Sequence, residues 1–223
     1  MQLLHTIFEP QGDGPHPTIL ALHGRGANAL DLLGLAPYVC GGRCLVLCPQ
    51  GAVQMPIGPG AVGYAWVPPS APGGPPDVPA ILAAREQLRA FLEAALERYP
   101  IDPSKLVVLG FSQGGVMAYS LGLGEPQRFA ALVALSTWLP PALLDHLPEA
   151  ATVQRLPILI QHGARDELVE VDRARQSVEA LRQWRVPLTY REYDIGHEIS
   201  ARSLTDLSTW LDEKVFSPIV PAG

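Results

Sequence analysis

The sequence predicts an α/β fold, a mostly parallel central sheet with helices on both faces. Three observations predict it. Short apolar runs alternate with longer stretches of helical periodicity along the whole chain. Most of these runs are nearly continuous in hydrophobicity, as strands covered on both faces must be. The 223 residues are 48% apolar and 17% charged, enough for one substantial core, so a single domain over 1–223 is expected.

The elements follow in order. Leu3–Phe8 can supply an edge strand, and Thr18–Leu22 and Cys44–Cys48 read as strands. From Pro49 to Pro79, 15 of 31 residues are Pro or Gly, including PPSAPGGPP. That density predicts no regular element. Yet the segment carries Met55, Ile57, Val62, Tyr64, Trp66 and Val67, more apolar content than a flexible linker needs, so it is expected to pack over the sheet near an active site. A helix is predicted over Ala80–Tyr99, where Ile81, Ala84, Leu88, Phe91, Leu92, Ala95 and Tyr99 recur at helical spacing. Strands at Leu106–Leu109, Ala131–Leu135, Ile158–Ile160 and Leu188–Tyr193 then alternate with helices at Gln113–Leu123, Val171–Trp184 and Ser200–Val215.

Composition excludes several classes. Sixteen basic against 22 acidic residues give −6, and no Lys/Arg cluster marks a nucleic-acid or anionic-membrane binder. The longest apolar stretch, Phe129 to Leu144, holds Ser136, Thr137 and Pro140-Pro141, so no run reaches the roughly 18 residues of a membrane span. MQLLHTIFEPQ lacks the basic start and apolar run of a secretory signal, and a cytoplasmic protein is expected. The three cysteines, Cys40, Cys44 and Cys48, cannot build a disulfide framework and match no standard metal spacing. Cys44 and Cys48 share one face of a strand and are expected as small core residues.

The chemistry centres on KLVVLGFSQGGVMAYSLG. A strand runs into Gly110-Phe111-Ser112-Gln113-Gly114, a G-x-S-x-G pattern, and a helix follows at once. That context forces Ser112 onto a sharp strand-to-helix turn with its hydroxyl projecting, where an adjacent base can activate it. In this architecture the acid and then the base follow the serine in the chain. Of six histidines only His197 lies beyond the last strand, in Tyr193-Asp194-Ile195-Gly196-His197-Glu198. Asp166 follows LPILIQHG at another strand's carboxyl end and is placed to fix the imidazole tautomer. Asp194 is its rival, but it shares the loop of His197 and is badly placed to orient that ring from across the site. The oxyanion needs backbone N–H donors. Gln113 supplies one, and the turn His23-Gly24-Arg25-Gly26 after TILAL should supply the other. His23 and His162 both precede the acid and are expected to be structural. His5, His16 and His146 receive no role.

The motifs LHGRGAN followed by Asp31, GFSQGG, LSTWLP, HGARDELV and GHEIS occur in this order over nearly the whole chain. In this the sequence resembles the phospholipase/carboxylesterase family, which includes bacterial carboxylesterases and acyl-protein thioesterases. The resemblance implies an α/β-hydrolase fold, a Ser112–Asp166–His197 triad, an oxyanion hole from the Arg25 and Gln113 amides, and neither metal nor organic cofactor. Arg25 stands where acyl-protein thioesterases usually carry leucine, which leaves backbone donation intact but not an apolar acyl channel. The Pro/Gly-rich segment with Trp66 looks more like bacterial members.

The expected function is hydrolysis of short- to medium-chain carboxylic esters through an acyl-enzyme. Trp66 and Trp138 are candidates to line the acyl pocket. The expected partner is a small-molecule ester, without nucleic acid or membrane insertion, and the resemblance allows a homodimer. A long-chain thioesterase or lysophospholipase using the same triad is the alternative within the class. A dienelactone-type hydrolase would carry cysteine at position 112. A non-catalytic ligand-binding module is the alternative from another class, disfavoured because Ser, Asp and His stand intact and in order.

Overall fold

The computed structural model describes residues 3–68 and 76–217. The strands are β1 (His5–Phe8), β2 (His16–Leu22), β3 (Leu45–Pro49), β4 (Val53–Gly58), β5 (Ala61–Ala65), β6 (Ile101–Phe111), β7 (Ala131–Leu135), β8 (Ile158–Gly163) and β9 (Leu188–Tyr193). The α-helices are α1 (Val78–Arg98), α2 (Gln113–Gly124), the single turn α3 (Ala150–Val153), α4 (Val171–Gln183) and α5 (Ala201–Leu211). Seven strands form the central sheet in the order β1-β3-β2-β6-β7-β8-β9, with only β1 antiparallel.

Alternate residues of each strand serve opposite faces, which explains the unbroken apolar runs. Leu20, Leu22, Leu45, Leu47, Val108 and Leu132 face a core shared with α1, α2 and α4. Ile19, Ala21, Val46, Val107 and Val133 face a second core with α5 and residues 32–40. Cys44 and Cys48 join Cys40 in that second core, all three buried and free. Burial pushes the Cys48 thiol up to about 12. Of the predicted α1 face, Ile81, Ala84, Leu88, Phe91, Leu92 and Ala95 are buried, while Tyr99 is the half-buried residue that follows the helix end. Its start is fixed by the Asp77 carboxylate, which accepts from Ala80 N–H at 2.9 Å, a cap worth about 1 kcal/mol.

The structure corrects several expected bounds, with β6 for one running from Ile101 to Phe111. The last helix ends at Leu211, and residues Asp212–Phe216 continue as a wider π-type turn. More important, the Pro/Gly-rich segment contains regular structure. Strands β4 and β5 pair antiparallel, with Val53 opposite Ala65 and Pro56 opposite Val62, around a turn at Pro59-Gly60. A two-stranded ribbon has only edge strands, where the missing N–H of Pro56 is tolerated. Gly63 serves close approach, because a Cβ there would lie 2.0 Å from Gly26 O. Most of PPSAPGGPP lies outside the described residues.

The sheet order positions the site. From β2 the chain steps outward to β3, then returns to lay β6 on the other side of β2 and continues through β7, β8 and β9. The order therefore reverses between β2 and β6, and open α/β sheets bind ligands at the carboxyl ends flanking such a reversal. Leu22 and Gly110 are paired there, one residue before His23 and two before Ser112.

Candidate active site

Ser112 occupies a turn with φ 53° and ψ −121° between β6 and α2. A non-glycine residue there carries strain on the order of 1–3 kcal/mol, which persists only when surrounding contacts hold it. Those contacts are specific. Ser112 N–H donates to Leu135 O at 2.9 Å, and its carbonyl accepts from the Thr137 hydroxyl at 2.7 Å and from Gly115 N–H at 2.9 Å. The flanking glycines are sterically required, since a Cβ on Gly110 would meet Gly114 O at 2.1 Å and one on Gly114 would meet Leu22 O at 2.0 Å. The first turn of α2 opens immediately behind Ser112, so its N–H groups and positive dipole end serve this corner.

The other side is formed by two loops at neighbouring strand ends. Asp166 follows β8 and His197 follows β9. His197 Nδ1 donates to Asp166 Oδ2 at 2.7 Å. The carboxylate side chain is wholly buried. Its other oxygen, Oδ1, accepts from Leu168 N–H at 2.9 Å and Val169 N–H at 2.8 Å, which fixes its direction. The loops are zipped by backbone bonds, Ala164 N–H to Tyr193 O at 2.7 Å and Arg165 N–H to Ile195 O at 3.0 Å. The His197 ring packs 4.8 Å, centre to centre, from Phe111, the residue before the serine. Asp194, the rival acid, is 85% exposed and pairs with Arg165 at 2.8 Å.

The turn after β2 abuts the serine, as a Cβ on Gly24 would lie 3.4 Å from Ser112 Cβ. Gly26 N–H donates to Tyr64 O at 2.8 Å, and Tyr64 N–H returns the bond to Ala27 O at 2.8 Å, tying the turn to β5. Among the described residues, no backbone carbonyl takes the Arg25 N–H or the Gln113 N–H, leaving both able to serve a ligand oxygen. His23 is buried, with Nε2 accepting from Gly51 N–H at 3.0 Å and Nδ1–H donating to Gly24 O at 2.7 Å. Burial pushes its pKa below the ordinary 6.5, in keeping with an accepting Nε2.

The two tryptophans are placed differently from each other. Trp66, expected to line an acyl pocket, is 4% exposed. Its indole N–H donates to His23 O at 2.8 Å and its backbone N–H to Gln113 Oε1 at 2.8 Å. It therefore braces the turn after β2 against the start of α2. Trp138 is half-buried in the loop after β7, with the Arg173 guanidinium 5.3 Å from its ring centre. Sequence reading missed the Thr137 bond to the serine carbonyl and the Trp66 brace. Their only signal was a polar or indole group just past a strand end.

A family model described as phospholipase/carboxylesterase matches residues 5–215. The chain belongs to the phospholipase/carboxylesterase family. Relatives in it include a probable carboxylesterase SOBER1-like of Arabidopsis thaliana, 28% identical over 71% of this chain and 62% of that protein. An acyl-protein thioesterase 1 of Aspergillus fumigatus is 26% identical over 64% of this chain and 60% of its own. The chain thus spans about three fifths of the length of these curated relatives. Among solved structures, the Bacillus cereus carboxylesterase superposes with a TM-score of 0.81 at 23% identity, covering 95% of this chain and 94% of that one. Esterase PE8 gives 0.79 at 22% identity, covering 96% and 100%. These likenesses establish the α/β-hydrolase fold.

Proposed function

We propose that this family member is a serine carboxylesterase, one hydrolase domain acting on short- to medium-chain carboxylic esters. The observation that carries the reading is the 2.7 Å bond from His197 to a fully buried Asp166, made on loops that meet at the carboxyl edge of the sheet presenting Ser112. In this reading the Ser112 oxygen bonds to the ester carbonyl carbon while its proton passes to His197 Nε2. Asp166 keeps the Nδ1–H side of the ring fixed and stabilises the imidazolium. The carbonyl oxygen, now anionic, accepts from the Arg25 and Gln113 N–H groups. The carbon–oxygen bond to the alcohol breaks, and the alcohol leaves with the proton from Nε2. Water then adds to the acyl-enzyme by the same relay and frees Ser112.

The chain-length part rests on the turn after β2. Arg25 is exposed and follows Gly24, which abuts the serine, so in this reading a long acyl chain leaving on that side would run against a charged side chain. Desolvating a guanidinium against methylenes is unfavourable. Hydrolysis of nitrophenyl esters from acetyl to palmitoyl tests this, with kcat/KM expected to peak at or below octanoyl. A palmitoyl optimum, or a palmitoyl thioester preferred over every ester, would instead favour the thioesterase reading that the Aspergillus relative's name raises.

A further inference from the structure

Phe111 and Leu135 are paired at the ends of the parallel strands β6 and β7. The next residue of each strand is a serine at positive φ, Ser112 at 53° and Ser136 at 46°. Non-glycine residues persist in that conformation only where their surroundings hold them. Ser136 N–H donates to Gln161 O at 2.9 Å, which carries the ladder one step further toward β8. Two residues after Thr137, Leu139 N–H donates to Ser177 Oγ at 2.8 Å, which anchors the loop on α4.

Thr137, held between these anchors, is buried against the start of α2 and meets it in two ways. Its hydroxyl donates to Ser112 O at 2.7 Å. Its side chain also occupies the space beside Gly115, where a Cβ would lie 2.5 Å from Thr137 Cβ and 2.7 Å from its Oγ1. That accounts for the second glycine of Gly114-Gly115, which the G-x-S-x-G pattern alone does not require. The hydroxyl is not needed to satisfy the serine carbonyl. Ser112 O already accepts from Gly115 N–H at 2.9 Å and from Val116 N–H at 3.3 Å. The additional donor instead bears on orientation.

A peptide unit is planar and trans, so its C=O and N–H point in opposite directions and turn together. Ser112 C=O and Gln113 N–H belong to one such unit. Holding the carbonyl therefore aims the N–H, and a hydrogen bond accepted at the oxygen also polarises the unit and strengthens its donor end. The Gln113 side chain is held separately, with Oε1 accepting from Trp66 N–H at 2.8 Å. We propose that Thr137 is a positioning residue for the oxyanion donor, its hydroxyl fixing the Ser112–Gln113 peptide so that Gln113 N–H meets the oxygen of the tetrahedral intermediate. This rests on the reading of Ser112 as nucleophile and Gln113 N–H as donor.

Thr137→Val tests it, because valine keeps the branched Cβ against Gly115 and removes only the hydroxyl. Ser112 O retains its helix donors, so the urea midpoint should move little. The kcat for ester hydrolysis should fall on the order of 10- to 100-fold with KM nearly unchanged, less than deleting an oxyanion donor outright. Thr137→Ser, which restores the hydroxyl, should recover most of the loss. Thr137→Ala, which needs no extra room, carries the same prediction as valine if that variant fails to fold. A trifluoromethyl ketone supplies the readout that packing alone would not move. Ser112 Oγ adds to its carbonyl carbon, the serine proton passes to His197, and the resulting oxyanion meets the same donors. Its inhibition constant should rise in Thr137→Val by about the factor by which kcat/KM falls. Unchanged kcat in Thr137→Val, equal losses in the valine and serine variants, or unaltered ketone inhibition while kcat falls would each overturn the positioning role. A failed nucleophile reading would show itself separately, as ester hydrolysis retained in Ser112→Ala.

Discussion

Asp166 and His197 come from loops 31 residues apart, yet the carboxylate accepts the imidazole Nδ1–H at 2.7 Å with its other oxygen held by two backbone N–H groups. This division of the carboxylate is what orients the ring. Oδ1 is committed to its own loop, so Oδ2 has one direction in which to accept, and the buried setting keeps water from competing for it.

Asp166→Asn should therefore cost on the order of 10³–10⁴-fold in kcat, because an amide in place of the carboxylate favours the wrong imidazole tautomer. Asp194→Asn should cost only a few-fold, since its exposed pair with Arg165 contributes little to stability. Steady-state ester hydrolysis by both variants checks the ranking. If Asp194→Asn proved the more damaging, the acid would have been placed on the wrong loop.

Trp66→Phe keeps an aromatic ring but removes part of the indole's volume together with the N–H that His23 O accepts. A buried acceptor left unpaired costs about 1–3 kcal/mol, measurable as a lower urea midpoint. Because the bond holds the turn carrying Arg25, kcat should fall roughly tenfold, the scale of a small misplacement of a donor. The preferred acyl length should stay where it is. A shift in chain-length optimum would return Trp66 to the pocket wall that its sequence position suggested.

Burial depresses the pKa values of both His23 and His162 below 6.5. The unfolded chain then binds more protons than the folded one as pH falls. Their contribution to stability is fully present above about pH 6.5 and is lost as pH drops toward the folded-state values, at most about 1.4 kcal/mol per pH unit for each histidine. Urea midpoints should fall between roughly pH 7.5 and pH 5.5, and His23→Gln should make that slope shallower. A midpoint that rises on acidification would contradict the neutral, buried assignment of both rings.

Much of this fold was legible because burial on both faces leaves a signature that needs no partner to be read. Ala131–Leu135 is buried at every residue and was bounded correctly from hydrophobicity alone. Gly110 to Gly114 was legible for a related reason, since only a strand turning abruptly into a helix needs that spacing. The β4–β5 hairpin was not. Its Pro and Gly residues look like breakers in a linear reading, and their tolerance depends on the ribbon being all edge and on Gly63 meeting Gly26. His162 was equally opaque, because its bond to Val169 O and its place 3.4 Å from Asp166 Oδ2 follow from how the loop after β8 folds back.

The central claim is that Ser112 is the nucleophile, and reaction with a fluorophosphonate tests it most directly. The reagent should add once per chain with loss of fluoride, the adduct should map by peptide mass spectrometry to Ser112, and ester hydrolysis should vanish in step with its formation. Full hydrolysis surviving in a chain fully modified at Ser112, or an inactivating adduct on another residue, would contradict it.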